Sequence, residues 1–222
     1  QNLSQTRDAY YERNRFADIF ATATRAPEDL AGEIGAIDGV AQVETRIVEH
    51  VVLDMPEMAE PGMGRVISLP RDGAPVLNVP LLRQGQLPDP LADDEVAVSE
   101  PFARAHGLRP GDRIRAILDG QMRDLRVSGI ALSPEYIYTI GTASLFPDDR
   151  RFGIFWMNHD AAAAAFDLDG AFNDVTLSLT RGADPDPIID ALDDLLDPFG
   201  GTGAHDRDRL PSHVFLKQEL EQ

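Results

Sequence analysis

Asp94 to Ile130 reads "DEVAVSEPFARAHGLRPGDRIRAILDGQMRDLRVSGI". The stretch carries its own punctuation. "EVAVS" alternates and predicts a strand, and "EPFARAHG" predicts a short helix closed by Gly107, which accepts the left-handed conformation past a helix end. Pro110 fixes φ at the first central position of a turn, and Gly111 admits positive φ at the next. Asp119-Gly120 lies between two alternating runs and predicts a hairpin. Gly107, Pro110, Gly111 and Asp112 are therefore read as a structural turn leading from helix to hairpin. Peptide-binding modules of the PDZ type carry a similar phrase, so strand addition at a nearby edge is a second reading of this turn.

Outward from this stretch the style changes. Upstream, "RFADIFATATRA" reads as a strand. Pro27 opens the helix "PEDLAGEIGAI", whose Leu30, Ile34 and Ile37 form one stripe, and "AQVETRIVEHVVLD" follows as an alternating strand. Downstream, "FGIFWM" is a strand, Asp160 is the expected cap of "DAAAAAFDL", "AFNDVTLSLT" is a strand and "DPDPIIDALDDLLDPF" an amphipathic helix. A β-α-β rhythm thus appears on both sides of a β-rich insert. Short helices are also expected at "SQTRDAYYERN" and "PSHVFLKQELEQ", and short strands at "RVISLP" and "PVLNVP". "MPEMAEPGMG" (Met55 to Gly64) is read as a loop packing its methionines over an apolar face.

The composition narrows the function. A chain of 222 residues suits one large domain or two small ones, and 43% apolar residues suffice for a core. The formal charge of −18 repels phosphate backbones, so no nucleic-acid partner is expected. The absence of cysteine removes thiolate chemistry and Cys-ligated metals. No window approaches the ~20 apolar residues of a membrane span, and no signal peptide opens the chain. Without an initiator Met, Gln1 and Gln222 read as the cut ends of a longer protein.

Candidate chemistry is sparse. "DLDGAFND" (Asp167 to Asp174) has Gly170 fourth rather than sixth and lacks the closing Glu of a calcium loop. "FGGTGAHD" (Phe199 to Asp206) has no Lys-Ser/Thr and is not a phosphate loop. His50, His106, His159, His205 and His213 are scattered, with no paired spacing for zinc. No catalytic residue, metal or cofactor is assigned. A hydrolase triad assembled from distant residues is the weakest of the function classes.

The pieces in order resemble the extracytoplasmic core domain of the MacB/FtsX-type ABC-transporter permeases. "DEVAVS", "EPFARAH", "GLRPGD", the Asp119-Gly120 hairpin and "RVSGI" are similar to that family's strand, helix, turn, hairpin and closing strand. "IDGVAQVETRIV" is similar to its first β-α-β unit, and "LLRQGQLPDP" to the phrase entering its inserted lobe, with Gln86 where Arg is usual. The resemblance implies an α+β fold, with a split porter-like lobe of β-α-β units at residues 1–81 and 151–222 and a small β-rich lobe inserted at 82–150. It implies transmembrane helices continuing from both termini, a cytoplasmic ATPase subunit or domain, a second permease copy and an envelope partner. It places the domain on the periplasmic or extracellular face of the cytoplasmic membrane, where it moves rather than catalyses. A free periplasmic ligand-binding or adaptor module is the alternative. In this frame Ile137 to Ile140 and Phe152 to Met157, within the apolar run Ala131 to Asn158, are strands where the inserted lobe rejoins the main one, and their apolar side chains fill the core and the lobe junction. Tyr136, Tyr138 and Trp156, which carry polar ends, are the candidate residues for a ligand or partner surface.

Overall fold

The computed structural model describes residues 15–136 and 148–207. The expected helices at Ser4 to Asn14 and from Pro211, the expected strand Ile137 to Ile140, and Tyr138 lie outside them. The described chain forms two units, residues 15–46, 75–79 and 170–207 in the first and 47–74, 80–136 and 148–169 in the second. In chain order the first unit begins with β1 (Ile19–Pro27), α1 (Leu30–Gly35) and β2 (Val40–Arg46). β3 (Val48–Asp54) and β4 (Gly62–Ser68) belong to the second unit. A strap, Pro75–Val79, returns to the first. The second then takes β5 (Leu81–Gly85), β6 (Glu95–Ser99), α2 (Glu100–His106), β7 (Arg113–Leu118), β8 (Gln121–Leu132), β9 (Phe152–Met157) and α3 (His159–Ala165). β10 (Ala171–Leu179), α4 (Pro185–Leu196) and β11 (His205–Asp206) complete the first unit.

The first unit's sheet is antiparallel, in the order β11-β1-β10-β2. The two strands of each β-α-β piece are separated by a strand of the other, the split arrangement of such units. Helices α1 and α4 cover one face. Leu30 and Ile34 from α1, and Ile188, Leu192 and Leu196 from α4, pack on Ile19, Ala21, Val175 and Leu177. The opposite face mixes buried polar side chains with Phe20. Arg46 lies opposite Asp174 and Glu44 opposite Thr176, all four nearly buried. The strap crosses this face. Val76 and Leu77 both donate their backbone N–H to Glu44 Oε2, at 3.0 and 2.7 Å, and Leu77 packs on Phe16 and Phe20.

The second unit holds a seven-stranded sheet, β5-β8-β6-β9-β4-β3-β7, that closes on itself because β7 also pairs with β8. The long β8 makes closure possible. Gln121–Arg126 pairs with β7 and Arg126–Ala131 with β6. β5 then lies on Gly129–Leu132, beyond β7. At the crowded crossing, a Cβ on Gly129 would stand 2.4 Å from Gln86 O, so only glycine fits. Alternate residues face the ring's interior: Val51, Leu53, Val66, Val98, Leu125, Val127 and Phe155 are almost fully buried. Phe102 of α2 meets Phe155 edge-on, with centroids 5.4 Å apart. A second cluster lies on the outer face of the same sheet: Ile67, Leu69, Ala97, Ala131, Phe152, Ile154 and Trp156.

Several local expectations change. The run from Ala41 to Asp54 is two strands, not one. Ile47 breaks it by donating its N–H to Ser68 Oγ at 2.7 Å, and the residues on its two sides join different sheets. "PVLNVP" is not a strand, because the N–H groups of Val76 and Leu77 go to the Glu44 carboxylate and that of Asn78 to Arg15 O instead of a ladder. The cap of α3 is Asn158, whose Oδ1 accepts from Ala161 N at 2.8 Å; Asp160 sits inside the helix. The units also divide at Arg46/Ile47 and Asp169/Gly170, whereas the sequence reading divides at 81/82 and 150/151. The reason is pairing: β3, β4 and β9 are bonded in register into the sheet that holds β6, β7 and β8.

Candidate functional site

Trp156, at 3% exposure, lies within the outer cluster, opposite Ile67 on β4 and Ala97 on β6. Tyr136 packs half-buried on the same cluster. Its hydroxyl accepts from Arg65 Nη1 at 2.8 Å, and the guanidinium carbon stands 5.2 Å from the ring centroid. Backbone N–H groups of Glu135 and Tyr136 both donate to Ser133 Oγ. Arg65 thus holds the segment after β8 against β4 by a hydrogen bond and a cation–π contact. The sequence reading names Tyr136 and Trp156 for a ligand or partner surface, where the structure buries Trp156 in the cluster; it does not name Arg65, since the alternation of "RVISLP" assigns that residue only a face.

The turn after α2 is sharply defined. Gly107 is left-handed at φ 62, and Leu108 N returns to Ala103 O at 2.8 Å. Gly111, at φ 99, donates to Val127 O at 2.8 Å. Asp112 Oδ2 accepts from Arg109 N at 2.8 Å, and Asp112 N donates back to Arg109 O at 3.0 Å. Pro110 and Gly111 therefore occupy the central positions of a turn that is bonded on both sides. Beside it opens a cleft of about 270 Å³, lined by Met55, Pro56, Glu57, His106, Gly107, Leu108, Asp112 and Arg113. The loop reaches the turn because Asp54 pairs with Arg115, which sets residues 55–57 beside the start of β7. No local signal in the sequence announces this meeting.

The histidines stay apart. His50, which remains exposed, lies opposite Arg65 on β4, and its pKa is lowered first by the desolvation of its ring and then by the Arg65 charge. His106 is bonded through Nε2 to Arg150 O at 2.7 Å and packs on Phe102. His159 pairs with Asp160, and His205 bonds Asp206 O. The hydroxyls of Ser68, Ser99 and Ser128 are engaged by main-chain groups. Among the described residues no group of three or more His, Asp or Glu side chains stands together as a metal ion would require. Among them, too, no helix is long and apolar enough to cross a membrane.

No protein-family model matches this sequence, and no curated protein matches it. The fold does match known structures. The extracellular domain of the noncanonical ABC-type transporter YknZ from Gram-positive bacteria is similar with TM-score 0.53 and 12% identity, over 86% of this chain and 98% of that one. The periplasmic region of MacB from Actinobacillus actinomycetemcomitans is similar with TM-score 0.52 and 11% identity, over 98% of this chain and 99% of that one. The chain therefore has the α+β fold of extracytoplasmic domains of MacB/YknZ-type ABC transporters.

Proposed function

We propose that this chain is the extracytoplasmic domain of an ABC-transporter permease. In this reading it couples ATP-driven motion of transmembrane helices to the engagement of substrate or partner outside the membrane. The supporting observation is the likeness to the MacB periplasmic region over 98% of this chain and 99% of that one. The first unit is the porter-like lobe and the second is the inserted lobe. Transmembrane helices continue from both ends, an ATPase works on the cytoplasmic side, and no step of chemistry falls to this domain.

These 222 residues contain no cysteine, so an introduced thiol is the one reactive thiol of this domain, and the parent full-length protein is the labelling control. Leu91 is 95% exposed. In the native full-length protein, Leu91→Cys in intact cells should react with a membrane-impermeant maleimide; reaction only after lysis would overturn the location. In the purified full-length protein with its ATPase, labelling rates at Leu91→Cys, Met122→Cys and Asp190→Cys are compared with and without trapped nucleotide. At least one should change, and identical rates at all three positions would overturn coupling.

A further inference from the structure

The cleft beside the α2 turn has no part in the reading above, and its chemistry is specific. It has two walls. One is the doubly bonded turn from Gly107 to Asp112. The other is the loop after β3, where Met58 N closes on Met55 O at 3.1 Å. Met55, Pro56 and Leu108 give the lining its apolar part, and Met55 brings an unbranched thioether chain that adapts to what it meets. Charge enters from Glu57, Asp112 and Arg113. Arg113 is a cation of the same lining, and its Nη1 lies 3.9 Å from both Asp94 and Asp124, which share its charge. The carboxylates of Glu57 and Asp112 outnumber the one guanidinium, within a chain whose formal charge is −18.

A volume of about 270 Å³ is small for a cofactor and sufficient for one long side chain. An apolar lining under an acidic rim complements a methylene stem that ends in a cation. We infer that this cleft is a docking socket for a single arginine or lysine side chain presented by a partner protein. The turn and loop pre-organise it, so little ordering is required on binding. The long-range field of an acidic surface raises the encounter rate of a cationic partner. The inference rests on the cleft alone and stands whether or not the domain belongs to a transporter.

The test is an amide-resolved NMR titration of the 222-residue chain at low salt, with blocked tripeptides Gly-Arg-Gly, Gly-Lys-Gly, Gly-Leu-Gly and Gly-Glu-Gly. The two cationic peptides should shift Gly107, Leu108 and Asp112 saturably, and the other two should not. Glu57 is exposed at the rim, so Glu57→Gln leaves the fold intact, which the same spectrum verifies. It should weaken cationic binding by about two- to fivefold, the size of one exposed charge contact. Glu57→Lys should abolish it. Equal binding of Gly-Leu-Gly, unsaturable shifts spread over all the acidic surface, or unchanged affinity in Glu57→Gln would each overturn the socket. Propylguanidine binding as tightly as Gly-Arg-Gly would overturn the partner-protein assignment in favour of a small free cation.

Discussion

The two units solve the problem of a half-buried sheet in different ways. The first leaves its sheet open, covers one face with α1 and α4, and buries polar side chains on the other. The second closes its sheet into a ring whose buried interior is built largely of apolar side chains, with Phe102 of α2 reaching in against Phe155. Because that interior is largely apolar, the ring depends on packed volume. The open sheet depends on satisfying what it buries. Mutations that delete volume should therefore hurt the ring most, and mutations that orphan a polar group should hurt the open sheet most.

The largest effect is expected in the ring. Phe155 is 1% exposed and sits over Gly64 and Gly153, where no Cβ fills the space. Phe155→Ala should cost about 4 kcal/mol, transfer and cavity terms together, measured by urea denaturation. A cost below about 1 kcal/mol would mean that the interior collapses freely and that closure does not demand tight packing.

The matching cut in the open sheet is the Arg46–Asp174 pair, with Nε to Oδ1 at 2.8 Å and both side chains largely buried. Asp174→Ala should cost about 3 kcal/mol, because a buried guanidinium loses its counter-charge. Replacing both residues, as Arg46→Met with Asp174→Leu, should recover most of that loss. If the double variant is no better than the single, this face relies on the ion pair itself and the contrast between the units sharpens.

Next in size is the strap. Glu44→Ala would leave the N–H groups of Val76 and Leu77 without their acceptor on a buried face, at a cost of about 2 kcal/mol. Glu44→Gln keeps a carbonyl oxygen in reach and should recover part of it. Faster amide exchange at Val76 and Leu77 in the Ala variant, with α1 and α4 unchanged, would locate the effect in the strap.

The same contrast explains what the sequence disclosed. The pieces of the open sheet were legible because each β-α-β segment carries its own period: Leu30 and Ile34 in α1, and Ile188, Leu192 and Leu196 in α4. The helix, turn and hairpin around Gly111 were legible because Gly107, Pro110 and Asp119-Gly120 supply their own dihedrals; Asp119 and Gly120 both have positive φ, at 48 and 76. Beyond the β7–β8 hairpin, the pairings that make the ring were not legible. Apolar residues continue through Ile47 into β3, so nothing local marks where the chain changes sheets. The strap looked like a strand because its apolar spacing is that of one, while its partner is a carboxylate from another element. Asp160 looked like a cap, but the extended backbone at Asn158 (ψ 157) starts α3 earlier. At the candidate sites, Tyr136 and Trp156 stood out by residue type. Arg65 and the meeting of Met55 to Glu57 with the turn depend on the β3–β4 and β3–β7 registers, which only the folded ring defines.

The smallest expected effect separates electrostatics from packing on the ring's outer wall. His50 faces Arg65 across β3 and β4, and its pKa is lowered from 6.5 by desolvation of its ring first and by the Arg65 charge second. A depressed histidine is neutral in the folded chain over a range where the unfolded chain already binds a proton. Its contribution is therefore complete above 6.5, the unfolded value, and is lost as pH falls from there through the lower folded value. His50→Gln removes the proton-binding difference, so the fall in urea midpoint between about pH 7.5 and about pH 5.5 should be slightly shallower than in the parent. The other histidines are common to both proteins and cancel in that comparison. An equal or steeper fall in the variant would refute the assignment. Arg65→Gln then divides the two causes. Because desolvation is the larger, most of the depression seen by NMR titration of His50 should survive the loss of the charge. The part that disappears should be the part that added salt also removes in the parent, since only the Arg65 contribution is screened.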